Sequence, residues 1–456
     1  MTGECGRCGV LLDPDGTCLN GCVQDQATPV SPNGHAPRKR ARKIPNEPPP
    51  AAPHGPRYTL TDIRGEDLGS THEAYLRWFG EKYDLGALDV VLAAAAAERL
   101  GGDPPWLMVV GGSGAAKTET VAPLTGAGAH VISTINGEAA LLSGTSKRDR
   151  ANDATGGLLR KIGPRGLLVV KDFTSVLSMN RDTRALVLAA LREIYDGHWS
   201  RNVGTDGGQT LTWRGRIVLI CAVTTAWDSA YQVVSTMGDR FVLVRMSSGQ
   251  HRRAAGKQAM ANVDHETVMR DELAAHVGRL LAGVTPDSGG EVAAGHLDDL
   301  LGLADLVTRC RTAVERDYQR NPMFAHALEM PTRFAKQLVQ LVRGGIALGM
   351  PAEAAMAVAA RAARDSMPPL RLAVLADIAG HPMSRTAEVA RRVQVPWSTA
   401  DRTLQELHLL ECLVTEDEPY GTAGKVRWLY SLARGTDPDV LGKFTTNVST
   451  PERTAP

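Results

Sequence analysis

Apolar positions fall along this chain in two rhythms. Short continuous runs occur at 106–110, 129–133, 166–170, 216–223 and 242–244. Runs of this length bounded by turn residues read as strands buried on both faces. Between them lie stretches whose apolar residues recur every three or four positions. Examples are Asp84 to Leu100, Arg184 to Tyr195, and the segment opening at Met330-Pro331-Thr332-Arg333 with Leu338, Leu341 and Val342. That period predicts helices with one face turned inward. Strands alternating with helices predict a parallel sheet flanked by helices, an α/β core.

The C-terminal part carries another pattern. Leu370 to Ala379 is an apolar helix, Thr386 to Val393 a short amphipathic one, and Ser398 to Leu410 a third, reached through the turn Gln394-Val395-Pro396-Trp397. Ser398 and Asp401 have the spacing of a capping box at its start. Strands follow at 412–415 and 426–430, around an acidic, glycine-bearing turn. Helix-turn-helix plus hairpin predicts a winged helix over residues 366–433. Its third helix would meet DNA through Ser398, Thr399 and Arg402, and its wing through Lys425 and Arg427. A protein partner is the other reading, because Asp401, Glu406 and Glu411 leave the module only weakly basic.

Composition changes the picture at the edges. A chain of 456 residues, 43% hydrophobic, predicts several domains: the α/β core at 58–350, the winged helix, and a disordered tail at 434–456. The formal charge of +1 leaves any nucleic-acid affinity to local patches. No apolar run is long enough for a membrane span and the first residues form no secretory signal, so a cytoplasmic protein is expected. Four of seven cysteines crowd into the start as Cys5-x₂-Cys8-x₉-Cys18-x₃-Cys22. In a reducing compartment two such pairs predict a closed Zn²⁺ site, a small zinc ribbon over residues 1–22. Cys221, Cys310 and Cys412 stand singly among apolar residues and read as core. Prolines recur through 23–57, which predicts a disordered linker. Its Arg38-Lys39-Arg40-Ala41-Arg42-Lys43 block suits a phosphate backbone or plain solvation equally. Gly144 to Arg150 reads as a basic surface loop or as one that touches DNA.

Chemistry concentrates where strands end. The run at 106–110 passes into Gly111-Gly112-Ser113-Gly114-Ala115-Ala116-Lys117-Thr118. Glycines let backbone N–H groups curl round a phosphate, a helix N-terminus adds positive potential, Lys117 reaches the β/γ-phosphates, and Thr118 ligates Mg²⁺. Ala116 stands where the P-loop pattern has a glycine. The strand at 166–170 delivers Lys171-Asp172. In open α/β sheets that end faces the ligand, so Asp172 would hold Mg²⁺ or polarise water. A paired second acid is missing there, which leaves Asp172 alone or helped by a residue such as Glu193. The strand at 216–223 ends in Thr224-Thr225, where a hydroxyl orients water or caps the strand. Arg240 precedes the strand at 242–244, where it would act in trans on a neighbouring subunit's nucleotide or form a surface ion pair.

Together these segments, over about residues 84 to 345, resemble the AAA+ ATPases, and among them the minichromosome-maintenance-like helicases of phages and mobile elements. The resemblance implies a helical lid and a homo-oligomeric, hexameric ring. It implies that Thr225 marks the sensor 1 position, that Arg240 is a trans-acting finger, and that Arg333 opens the sensor 2 helix and meets the γ-phosphate. The expected function is an ATP-driven DNA motor, a replicative helicase or replication initiator. Two rivals stay open: an ATP-switched transcriptional regulator, and a nucleotide-binding scaffold with little turnover, which Ala116 and Lys171 would suit.

Overall fold

The computed structural model describes residues 67–144, 156–204, 208–230, 240–246, 251–420 and 425–443. Contacts divide the chain into Met1–Leu60 and Thr61–Pro456. The expected zinc ribbon with Cys5, Cys8, Cys18 and Cys22, the proline-rich linker, and most of the basic loop at 144–150 lie outside the described residues.

The strands of the α/β core are β1 (Leu107–Val110), β2 (His130–Ile132), β3 (Arg165–Val170), β4 (His198–Val203), β5 (Gln209–Arg214), β6 (Arg216–Val223) and β7 (Val242–Arg245). Five of them form one sheet in the order β2-β3-β6-β1-β7, with every pairing parallel. The reason is in the residues. Along β6, Val218, Ile220 and Ala222 join one core, while Ile217, Leu219, Cys221 and Val223 join another on the opposite face. A strand buried on both sides needs apolar residues at consecutive positions, and parallel strands need helices to cross between them.

Those helices are α1 (Leu68–Phe79), α2 (Leu85–Ala96), α3 (Lys117–Val121), α4 (Glu138–Leu141), α5 (Leu158–Ile162), α6 (Thr174–Leu177), α7 (Arg181–Tyr195), α8 (Arg252–Ala261) and α9 (Glu266–Ala282). Helix α2 is buried from Val90 to Ala96 without a break, so alanine lets it pass through the core. Its Asp84 accepts the Ala87 N–H at 3.0 Å, a cap where the chain enters the helix. Strands β4 and β5 form a separate antiparallel hairpin that the apolar pattern did not announce.

A further layer holds α10 (Ala294–Arg311), the hairpin β8 (Val314–Arg316) and β9 (Pro322–Ala325), α11 (Thr332–Ala347) and α12 (Ala352–Asp365). Helix α12 falls between the two domains expected from sequence, and it belongs to the core. Its last turn seals the edge of the sheet: Asp365 Oδ2 accepts the Arg245 N–H at 2.8 Å and Ser366 Oγ accepts the Leu243 N–H at 2.9 Å. These side chains occupy the ladder positions that an edge strand leaves open.

The last module contains α13 (Pro369–Gly380), β10 (Ser384–Arg385), α14 (Thr386–Val393), α15 (Trp397–Leu409), β11 (Leu413–Tyr420) and β12 (Lys425–Leu432). Its sheet runs β10-β12-β11. Three expectations need correction here. The capping box at Ser398 is not formed: α15 begins one residue earlier without a side-chain cap, and Asp401 instead accepts from Gln405 Nε2 at 2.8 Å. Arg434 is not where order stops, because a 3₁₀ turn at Pro438–Leu441 buries Leu441 in the main core. Cys310 and Cys412 are buried but not single, their sulfurs being 3.4 Å apart across the joint between α10 and the last module. Among the described residues, no helix is long and apolar enough to cross a membrane.

Candidate nucleotide site

The sheet order brings the sequence motifs to one end. Strand β6 lies between β1 and β3, so its carboxyl end stands between the glycine loop after β1 and the acid after β3. Gly111 begins the loop, with its N–H donated to Val223 O at 3.2 Å. A Cβ on Gly111 would stand 3.3 Å from Lys117 Cδ, so the lysine stem packs over the loop where a larger residue would crowd it. Gly112, Ser113 and Ala115 carry the chain round, and Gly114 takes φ +76°. Ala116 takes φ 56° and ψ 14°, a left-handed conformation, immediately before α3. This is the position where the P-loop pattern has glycine, and glycine alone adopts that conformation without strain.

Lys117 Nζ donates to Gly111 O at 2.9 Å and to Gly112 O at 2.6 Å. Partial burial lowers its pKa, and the negative charge of Asp172 opposes part of that fall. The Thr118 side of α3 is exposed. Asp172 is exposed as well, its carboxylate accepting the Thr174 N–H at 3.0 Å. Thr174 in turn ties this corner to the end of β6, since its Oγ1 accepts the Thr224 N–H at 3.1 Å and lies 3.4 Å from Thr224 Oγ1. The structure therefore puts Thr224 in the network beside Asp172. Thr225 is exposed one residue on, in the turn where Asp228 N donates to its carbonyl at 3.1 Å. Glu193 is exposed on α7.

Arg240 and Arg333 lie at the other end of the sheet. The register pairs Val242 with Leu107 and Arg245 with Val110, so Arg240 precedes the amino end of β7 while the glycine loop follows the carboxyl end of β1. Four residues at about 3.3 Å each separate the two ends. Arg240 pairs with Asp196 at 3.1 Å. Its guanidinium carbon is 5.8 Å from the ring centroid of Tyr195, and that of Arg333 is 5.9 Å from the same centroid. The structure thus gathers these two arginines with each other and away from Lys117 and Asp172 of the same chain.

The proposed DNA contacts of the last module divide. Ser398 and Lys425 are exposed and Thr399 is half-buried. Arg402 donates to Gln319 O, on the β8–β9 hairpin, at 3.1 Å. Arg427 pairs with Glu418 at 2.5 Å and lies 5.4 Å from the centroid of Tyr420. Sequence reasoning missed a role for Tyr195 and counted Glu406 among the acids that set the module's charge, whereas Glu406 is buried on α15 against Arg371 and Arg316; their partners lie far away in sequence.

No protein-family model and no curated protein matches the sequence. Among solved structures the chain pairs with one described as SCCmec type IV Cch, an active helicase, at 10% identity and a TM-score of 0.32. That pairing covers 82% of this chain and 71% of the other, a likeness too slight to set either fold or function.

Proposed function

We propose that this chain is an ATP-hydrolysing DNA motor of the AAA+ kind, working as a ring of copies in the replication of a phage or mobile element. The observation that supports it most is the division of charge between the two ends of one sheet. Lys117, Thr118, Asp172 and Thr224 gather at the carboxyl end, and Arg240 and Arg333 at the amino end. One copy then has the phosphate-binding half of a site and the arginine half of the next copy's site.

The chain's own groups suit ATP and magnesium. The loop offers backbone N–H groups at the start of α3, and the Lys117 ammonium rests on two carbonyls that phosphate oxygens would replace. A magnesium ion held here would supply positive charge against the phosphates. Thr118 and Asp172 are the oxygen ligands at hand for it. Thr224 orients water beside Asp172, which takes the role that paired acids share in a P-loop enzyme with two. Arg240 stabilises charge at the γ-phosphate in trans, and Arg333 from the same neighbour joins it, where the sequence placed it on the phosphate without saying whose. Cys5, Cys8, Cys18 and Cys22 complete the reading as a closed zinc site. The order α13-β10-α14-α15-β11-β12 supports a reading as a winged helix, in which Ser398, Thr399 and Lys425 would meet DNA.

Mixing variants tests the reading. Lys117→Ala should lose ATP binding. Arg240→Ala should bind ATP and lose roughly a thousandfold in turnover. Mixed together the two should regain part of it, because some interfaces then hold one intact Lys117 and one intact Arg240. Full turnover by Arg240→Ala alone would end the argument for a shared site, and absence of ATP-dependent strand displacement would end the argument for a helicase. A second reading of the last module has one observation in its favour. Arg402 and Arg427 are already engaged by Gln319 and Glu418, as befits a module that grips the rest of the chain or another protein.

A further inference from the structure

Arg240 and Arg333 lean on one ring, and that ring is held still. Tyr195 ends α7 and is 8% exposed. Trp106 forms a T-shaped pair with it, ring centroids 5.2 Å apart and planes at 85°. Its hydroxyl is buried with no hydrogen-bond partner among the described residues. A phenol in that state is costly, and such a group is accounted for when a ligand supplies the missing partner.

The backbone behind the arginines is held as firmly. Gln337 is 1% exposed and its Nε2 donates to Arg240 O at 2.7 Å. It stands four residues after Arg333 on α11, on the same helix face. The next carbonyl, Phe241 O, accepts from Arg311 Nη1 at 3.2 Å, and Arg311 is fixed by Glu329 at 2.6 and 2.8 Å and by the face of Phe334 at 4.4 Å. Arg240, already paired with Asp196, and Arg333 are thus kept beside one another by an aromatic platform and a buried amide. Such an arrangement suits a polyanion, for which the cost of gathering the charges is met in advance.

We propose that Tyr195 and Gln337 are positioning residues that hold Arg240 and Arg333 as one two-arginine receptor for the phosphates of a nucleotide bound to a neighbouring copy of this chain. Tyr195 sets the distance between the two guanidinium groups. Gln337 sets the position of the Arg240 backbone relative to α11, so a shift of α11 carries both arginines together. The inference rests on the shared-site reading above and adds what makes the arginine half rigid.

The test is steady-state ATP turnover by the full chain with Mg²⁺. Tyr195→Leu removes the platform and should lower kcat roughly ten- to a hundredfold, the cost of misplacing groups by an ångström or so. KM for ATP should stay within about twofold, since the nucleotide's own loop is untouched. Tyr195→Phe keeps the ring and should stay within about fivefold of the parent, the loss of one hydrogen bond. Mixing Tyr195→Leu with Lys117→Ala should restore turnover, which general damage to the fold would not allow. Gln337→Met removes the donor with little change in volume and should show the same fall in kcat and the same rescue. It carries the test by itself if Tyr195→Leu does not fold. Parent-like kcat in the folded variants, a KM that rises in step with the loss, or no rescue on mixing would overturn the proposal. If Arg240→Ala also turns over normally, the shared-site reading fails. If Arg240→Ala is inactive while Tyr195→Leu and Gln337→Met are normal, this inference fails alone.

Discussion

At the scale of the residue, Ala116 is the position where the side chain departs from what motif and backbone both ask for. Its φ of 56° costs a residue with a Cβ about 1–2 kcal/mol relative to the right-handed form. Glycine relieves that strain, and its freer unfolded state returns about half. Ala116→Gly should therefore raise stability by about 0.5–1 kcal/mol and leave ATP affinity equal or tighter. Urea unfolding and an ATP titration check this, and a destabilised variant would mean that the Ala116 methyl makes contacts worth more than the strain. The same loop shows what sequence can and cannot disclose. The strand–loop–helix turn from Gly111 to Thr118 is legible because its glycines and helix start are local signals. The pairing of Arg240 with Arg333 over Tyr195 is not, since 45 residues separate the first from the ring and 138 separate the second.

At the scale of the element, burial on both faces made the five parallel strands plain, and period made the long helices plain. The β4–β5 hairpin escaped because few of its residues face inward: Trp199, Leu211 and Trp213 are its buried apolar side chains among charged and polar neighbours. The β11–β12 hairpin was legible, but what ties it to β10 was not. Glu418 on β11 bonds Arg385 at 2.6 Å and Arg427 at 2.5 Å, and these two cations lower its pKa from the usual 4.5 to about 2. A carboxylate depressed in the fold adds stability above its unfolded pKa and loses it as pH falls towards the folded one. The clamp is therefore complete above about pH 5 and lost between pH 4.5 and 2. Glu418→Gln should lower the melting temperature of the full chain at neutral pH, and the gap should narrow as the buffer is taken below pH 4.5. A gap independent of pH would show that the carboxylate charge is not what holds the strands.

At the scale of the whole molecule, the last module is joined to the layer of α10 to α12 through buried charge. Glu406, 4% exposed, accepts from Arg371 Nε and Nη2 at 3.1 and 3.0 Å and from Arg316 Nε at 2.8 Å. Arg371 also donates to the carbonyls of Cys310 and Thr312, both at 2.8 Å. Glu406→Ala strands the Arg371 guanidinium in the interior, which costs about 3–5 kcal/mol. Urea unfolding should record that loss, and Cys310 and Cys412 should react faster with a thiol reagent in native buffer as the joint opens. Unchanged thiol reactivity would mean that apolar packing alone keeps the joint closed. Sequence placed a boundary near residue 366 because a helix-turn-helix and hairpin pattern starts there, yet one core runs across it from Leu338 to Leu404. In mechanical terms the layer and the module are a single arm without a hinge. A rotation of α11 would therefore be carried outward through that core and the Glu406 cluster into α15 and the strands β11 and β12, with no slack between.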